Sequence, residues 1–140
     1  MKHLILALLL PVTFFFTASC QGIGGNNERI VNGVKCMVHN VSPDEFEKKL
    51  ATPGVQLLDV RTPEEYAEGH LVNSRNLDHT GGVLEQNAHT LDKNRPVLVY
   101  CRSGKRSAAA ATYLQQQGFK EVYNMKGGIQ QWQSAGKPVE

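Results

Sequence analysis

The chain lacks a charge bias. Its 15 Lys and Arg face 13 Asp and Glu, for a formal charge of +2 over 140 residues. A near-neutral chain offers no case for nucleic-acid binding, which needs a basic stripe or face, so any basic patch must be local. A metal-ligand pattern is also missing. The three cysteines show no paired spacing, and the five histidines (His3, His39, His70, His79, His89) are scattered. Neither a metal nor a cofactor is expected. After Phe16 no long apolar run occurs. The length suits one domain and not two, and 41% hydrophobic with 20% charged residues suits a soluble globular fold.

What the first nineteen residues do have is the layout of an export signal. Lys2 gives a basic start, Leu4 to Phe16 is apolar apart from Pro11 and Thr13, and Thr17-Ala18-Ser19 supplies small residues before Cys20. A permanent membrane helix takes about 20 apolar residues, more than this interrupted run offers. Small residues before a cysteine resemble the lipobox of bacterial lipoproteins, although Thr17 stands where leucine is usual. That resemblance implies cleavage before Cys20, lipidation of Cys20 and a domain on the periplasmic side of a bacterial membrane. A plain cleaved signal with a free Cys20 is the alternative. Cleavage lowers Lys+Arg from 15 to 14 against 13 Asp+Glu, so the formal charge goes from +2 to +1.

The most informative stretch is Cys101-Arg102-Ser103-Gly104-Lys105-Arg106-Ser107. It follows Pro96 to Tyr100, an apolar run that reads as a buried strand, and precedes Ala108 to Gln117, which reads as a helix. A cysteine on such a turn lies where backbone N–H groups and the positive end of a helix dipole converge on its sulfur. Arg102, Lys105 and Arg106 add to that field. Such surroundings favour thiolate over thiol and attract an anion. Cys101 is the candidate nucleophile. Cys36 reads as a small buried strand residue; a Cys36–Cys101 bridge would silence the site.

Around this stretch the chain alternates strand and helix signals. Cys20 to Lys35 reads as anchor and flexible tether, with Arg29 to Lys35 of weak strand character and assignable to either tether or fold. The domain is placed at 36–140. Met37 to Val41 alternates like a half-buried strand. Ser42-Pro43-Asp44-Glu45 and Thr62-Pro63-Glu64-Glu65 each carry the helix-start pattern of N-cap, proline and capping-box glutamate. Val55 to Val60 reads as a central strand, Ser74 to Leu77 as a short one, Val83 to His89 as a brief helix, Glu121 to Asn124 as a last strand, and Gly127 to Trp132 as the opening of a final helix. This order implies a parallel sheet covered on both faces, with ligands at the carboxyl ends of its strands.

With these residues in view, the chain resembles the rhodanese-like domain family. The resemblance is carried by Asp59-Val60-Arg61-Thr62-Pro63-Glu64-Glu65-Tyr66, Gly69-His70-Leu71 with Asn76-Leu77, the Cys101–Ser107 loop, and Lys126-Gly127-Gly128-Ile129 with Trp132, in that order over about Val38 to Lys137. Val72-Asn73-Ser74 departs from the family's usual Ile-Pro-Gly-Ala-like turn, which bears on local loop geometry. The family implies a three-layer α/β fold with a mainly parallel five-stranded sheet. It also implies sulfurtransferase chemistry: Cys101 takes a sulfur from thiosulfate or a similar small anionic donor as a persulfide, then passes it to cyanide or a thiol, a thioredoxin-like or other protein thiol included. Such two-step covalent catalysis gives ping-pong kinetics.

Arg102, Ser103, Gly104, Lys105, Arg106 and Ser107 are the candidate substrate-binding residues. For the three cations the alternatives are contact with sulfonate oxygens and solvation of the loop rim; family analogy makes Arg106 a loop-closing arginine. Asp59 and Arg61 are expected to support the loop through an ion pair, His70 to fix a turn, and Trp132 to pack the core. The rival functions are a persulfide carrier or docking module for a protein partner, and a small cysteine phosphatase or arsenate-reductase-like enzyme. Cysteine phosphatases use Cys-x5-Arg spacing, whereas Cys101 and Arg106 are spaced Cys-x4-Arg.

Overall fold

The computed structural model describes residues 26–140. The export-signal and Cys20 lipidation expectations lie outside them. The elements run β1 (Asn26–Val31), β2 (Val34–Val41), α1 (Pro43–Leu50), β3 (Gln56–Asp59), α2 (Pro63–Ala67), β4 (Arg75–Asn76), α3 (Val83–Asn87) with a 3-10 turn over Ala88–Thr90, β5 (Val97–Tyr100), α4 (Lys105–Gln116), β6 (Glu121–Met125) and α5 (Gly128–Ser134). They build one six-stranded sheet in the order β1-β2-β6-β5-β3-β4. Every pairing is parallel except β1 with β2.

Strand β5 lies between β6 and β3, where both faces are covered, and its Val97-Leu98-Val99-Tyr100 run is wholly buried. Side chains alternate across it, as the period of two requires. Val97, Val99 and Cys101 join Ala110, Ala111 and Leu114 of α4 in one cluster, together with Leu84 of α3. Leu98 and Tyr100 join Phe46 of α1 and Ile129 and Trp132 of α5 in the other. Burying each large apolar side chain stabilises by about 1.5–3 kcal/mol, so this strand is held firmly from both faces. The alanines of α4 let the helix approach the sheet closely, and Trp132 packs in the core as expected, at 3% exposure.

Both capping boxes form. Ser42 and Glu45 cap α1 reciprocally, and Thr62 and Glu65 do the same for α2, each with proline in the first turn. Helix α2 starts at Pro63, directly after its Thr62 N-cap.

The N-terminal boundary needs correction. Residues 26–35, placed outside the domain by sequence with Arg29 to Lys35 left open between tether and first edge of the fold, form a sixth strand and a hairpin with β2. Val31-Asn32-Gly33-Val34 carries the Asn-Gly pair that a tight two-residue hairpin favours, with φ of +49° at Asn32 and +77° at Gly33. The buried side-chain amide of Gln115 in α4 then donates to Asn27 O at 2.6 Å and Cys36 O at 2.9 Å, joining the hairpin to the domain. Cys36 is a fully buried strand residue and, like Cys101, a free thiol.

Asn73 explains how the departing turn is made. It adopts φ +64°, the left-handed region that asparagine tolerates better than most residues, and Ser74 N–H closes the turn on Leu71 O at 3.0 Å.

Candidate active site

Cys101 follows directly on β5, and the loop after it turns straight into α4. The turn is made at Gly104, whose φ of +95° favours glycine. A Cβ there would lie 3.1 Å from Gly127 N and 3.2 Å from Met125 O, so the loop also needs its small size. Gly104 is the N-cap of α4 and offers no side-chain cap. The first N–H groups of this helix are therefore free to serve what lies within the loop.

What lies there is the Cys101 sulfur. Gly104 N–H donates to Sγ at 3.1 Å, and the Ser107 hydroxyl donates to it at 3.4 Å. Burial pushes the thiol up, because a thiolate loses hydration at 1% exposure. The Ser107 hydroxyl and the backbone N–H groups of Ser107, Ser103 and Gly104 together outweigh burial, and the thiol ends below its ordinary value. Hydrogen bonds lead this shift, whereas the sequence reading gave weight to the three cations. Arg102 and Lys105 are exposed.

Arg106 is held differently. Its guanidinium donates from Nη1 and Nη2 to the two Glu65 oxygens, both at 2.7 Å. The Arg106 hydrogen bonds lead in holding the Glu65 carboxyl well below the usual range, at about 2. Glu65 also accepts Thr62 N–H at 3.1 Å. One carboxylate thus caps α2 and clamps the cysteine loop. Sequence reasoning found the cap and missed the clamp, since nothing local pairs residues 65 and 106.

Asp59 and Arg61 form the expected ion pair, with Arg61 Nη2 2.6 Å from Asp59 Oδ2 and both side chains buried. Burial works against the Arg61 charge, and the hydrogen bonds and charge of Asp59 more than restore it. The same Nη2 donates to Gly69 O at 2.7 Å. The pair therefore braces the turn after α2, and the direct brace on the cysteine loop is Glu65. His70 fixes that turn, as read from sequence: its Nδ1 lies 2.9 Å from Tyr66 O, and its ring stacks on Tyr66.

A second brace comes from α5. Ile129 N–H donates to Cys101 O at 2.9 Å and Gln130 N–H to Arg102 O at 3.2 Å. This approach is possible because Gly128 has no Cβ; one built there would lie 2.4 Å from Cys101 O. The Gly127-Gly128 pair was visible as a motif, but its packing role was not.

Beside the loop lies an open cleft of about 310 Å³, whose lining includes Arg102 and Glu65. Among the described residues, no group of three or more His, Cys, Asp or Glu could hold a metal ion. The site can present one buried, hydrogen-bonded sulfur nucleophile to a small reactant, with two exposed cations at its rim.

The chain is similar to known proteins. The family model for the rhodanese-like domain matches residues 42–135. A protein of Allochromatium vinosum named sulfurtransferase is 38% identical over 104 residues, covering 74% of this chain and 95% of its own. A protein of Pseudomonas paraeruginosa named thiosulfate sulfurtransferase GlpE is 38% identical over 94 residues, covering 67% and 83%. The crystal structure of a rhodanese-related protein from Thermoplasma volcanium superposes with a TM-score of 0.64 at 32% identity, covering 72% of this chain and 96% of that one.

Proposed function

The chain belongs to the rhodanese-like domain family, and on that footing we propose that it is a sulfurtransferase working through a Cys101 persulfide. The observation that carries the reading is the hydrogen bonding of Cys101 Sγ by Gly104 N–H and Ser107 Oγ within the Cys101–Ser107 stretch. Those donors favour the thiolate, so the nucleophile needs no separate base. The thiolate attacks the outer sulfur of thiosulfate. The bond between the two sulfurs of thiosulfate breaks, its electron pair leaves with sulfite, and the outer sulfur stays on Cys101. At 1% exposure the sulfur is accessible only to small donors or to a thin protruding thiol. Arg102 and Lys105 serve as the cations that draw in a dianion, while Arg106 is committed to Glu65.

The acceptor then attacks the outer sulfur and Cys101 departs. The hydrogen bonds that lower the thiol also make it a good leaving group, so one arrangement serves both half-reactions. The Cys-x4-Arg loop favours a single sulfur adduct over a tetrahedral phosphoryl group. The test is a thiosulfate–cyanide assay run beside a phosphomonoester assay on the protein and on Cys101→Ala. Thiocyanate release by the first protein alone, with no phosphatase activity in either, is expected. Equal thiocyanate release by both would overturn the role of Cys101.

The proposal extends to location: an exported protein held at the periplasmic side of a bacterial membrane by lipid on Cys20. The mass of the N-terminal peptide from membranes tests it, an unmodified Cys20 or an uncleaved leader being the contrary result.

A further inference from the structure

Among the described strands, β1 alone runs against the others. Its first residue therefore lies toward the end of the sheet where β5 delivers Cys101. The register of the strands measures how near. Asn26 pairs with His39, His39 with Tyr123, and Tyr123 with Leu98, three residues before Cys101. Three strand spacings are about 14 Å across the sheet and three residues about 10 Å along it, which sets Asn26 about 17 Å from Cys101. The root of this strand is fixed to the domain, because the Gln115 amide donates to Asn27 O at 2.6 Å. Cys20 stands six residues before Asn26, a span of at most about 21 Å whatever the chain conformation. The Asn32-Gly33 turn lies at the opposite end, six residues after Asn26 and about 20 Å from it. An anchor at Cys20 reaches that end only with its whole length drawn back along β1, leaving none to reach a bilayer.

We propose that the end of the sheet carrying the Cys101 loop is the face this protein turns to the membrane, with the lipid headgroup surface as its neighbour. The inference rests on the anchoring at Cys20 proposed above. Strand direction and tether length set the orientation, and charge does not. Exposed cations stand at both ends: Arg102, Lys105 and Lys126 at the loop end, and Lys93, Arg95 and Lys120 at the other. The Cys101 loop then opens on the gap between domain and bilayer. A small sulfur anion enters that gap from the side. A protein that exchanges sulfur with Cys101 is one held at the same membrane surface.

Alkylation of the full lipidated chain in phosphatidylethanolamine–phosphatidylglycerol vesicles tests this. Lys126, exposed directly after β6, and Lys93, exposed shortly before β5, mark the two ends. Lys126→Cys and Lys93→Cys are each combined with Cys101→Ser, so that the new thiol is the one that reacts, Cys36 being fully buried. The rate with a maleimide on a long polyethylene glycol chain is divided by the rate with N-ethylmaleimide, which cancels differences in thiol reactivity. The quotient should be about fivefold lower at position 126 than at position 93, because a covered face loses most directions of approach. The difference should vanish when about 20 glycine and serine residues, a coil spanning about 25 Å, are inserted after Gln21. Equal quotients, or the lower one at position 93, in protein that floats with the vesicles would overturn the inference and leave the anchor standing. Protein that stays behind when the vesicles are floated, with Cys20 unmodified by mass, would bring down the anchor and the inference together.

Discussion

Two carboxylate–guanidinium pairs stand near the carboxyl ends of the strands, and they do different work. Asp59 and Arg61 are two residues apart, wholly buried, and directed at the turn after α2. Glu65 and Arg106 are 41 residues apart, with side chains 26% and 30% exposed, and join α2 to the cysteine loop. The first pair is enclosed by the fold and holds a turn. The second spans two elements that neither core cluster ties together, and holds the loop. Sequence separation and burial thus divide a pair that stabilises the domain from a pair that shapes its site.

The largest effect expected from breaking this comparison is on the buried pair. Asp59→Ala leaves the Arg61 charge enclosed without a partner, a change that costs about 3–5 kcal/mol. The urea midpoint should fall accordingly, while activity per folded molecule changes much less. Glu65→Gln should show the reverse balance. Losing charge-assisted hydrogen bonds in a partly solvated pair costs about 1–2 kcal/mol, but a loosened loop should lower kcat/KM for thiosulfate by roughly ten- to a hundredfold. Parallel losses of stability and activity in the two variants would erase the distinction.

Acidification sharpens it further. The folded-state carboxyl of Glu65 lies at about 2 against an ordinary 4.5. Its contribution is therefore present above about 4.5 and is lost as pH falls from there toward about 2. Unfolding free energy measured over that window should fall less steeply in Glu65→Gln than in the unaltered protein. The smallest change in stability, but a clear one in reactivity, is expected for Ser107→Ala. Removing the Oγ donor at 3.4 Å should move the pH midpoint of Cys101 alkylation upward, toward that of a free thiol. An unmoved midpoint would show that the backbone donors suffice.

The difference between the two pairs also marks where sequence reading succeeds. Asp59 and Arg61 are neighbours, and their pairing was readable. So were the capping boxes at Ser42 and Thr62, the buried run into Cys101 and the helix beyond it, because each is set by residues within one or two turns. The mutual approach of Glu65 and Arg106, and of Gly128 and the Cys101 carbonyl, depends on how β3, β5 and β6 stack, which no local pattern encodes. The β1 hairpin is a different case: its Asn32-Gly33 signal was present, but the polar, glycine-rich stretch before it reads as tether, and the Gln115 amide that secures the hairpin lies 88 residues from Asn27.

The central claim is that the amides and hydroxyl around Cys101 hold a thiolate ready to accept one sulfur atom. Mass spectrometry of the protein after incubation with thiosulfate and removal of the excess tests it directly, with peptide mapping to separate Cys101 from Cys36. The account predicts a gain of one sulfur on Cys101, reversed by cyanide. An unchanged Cys101 peptide, or sulfur carried on Cys36 instead, would contradict it.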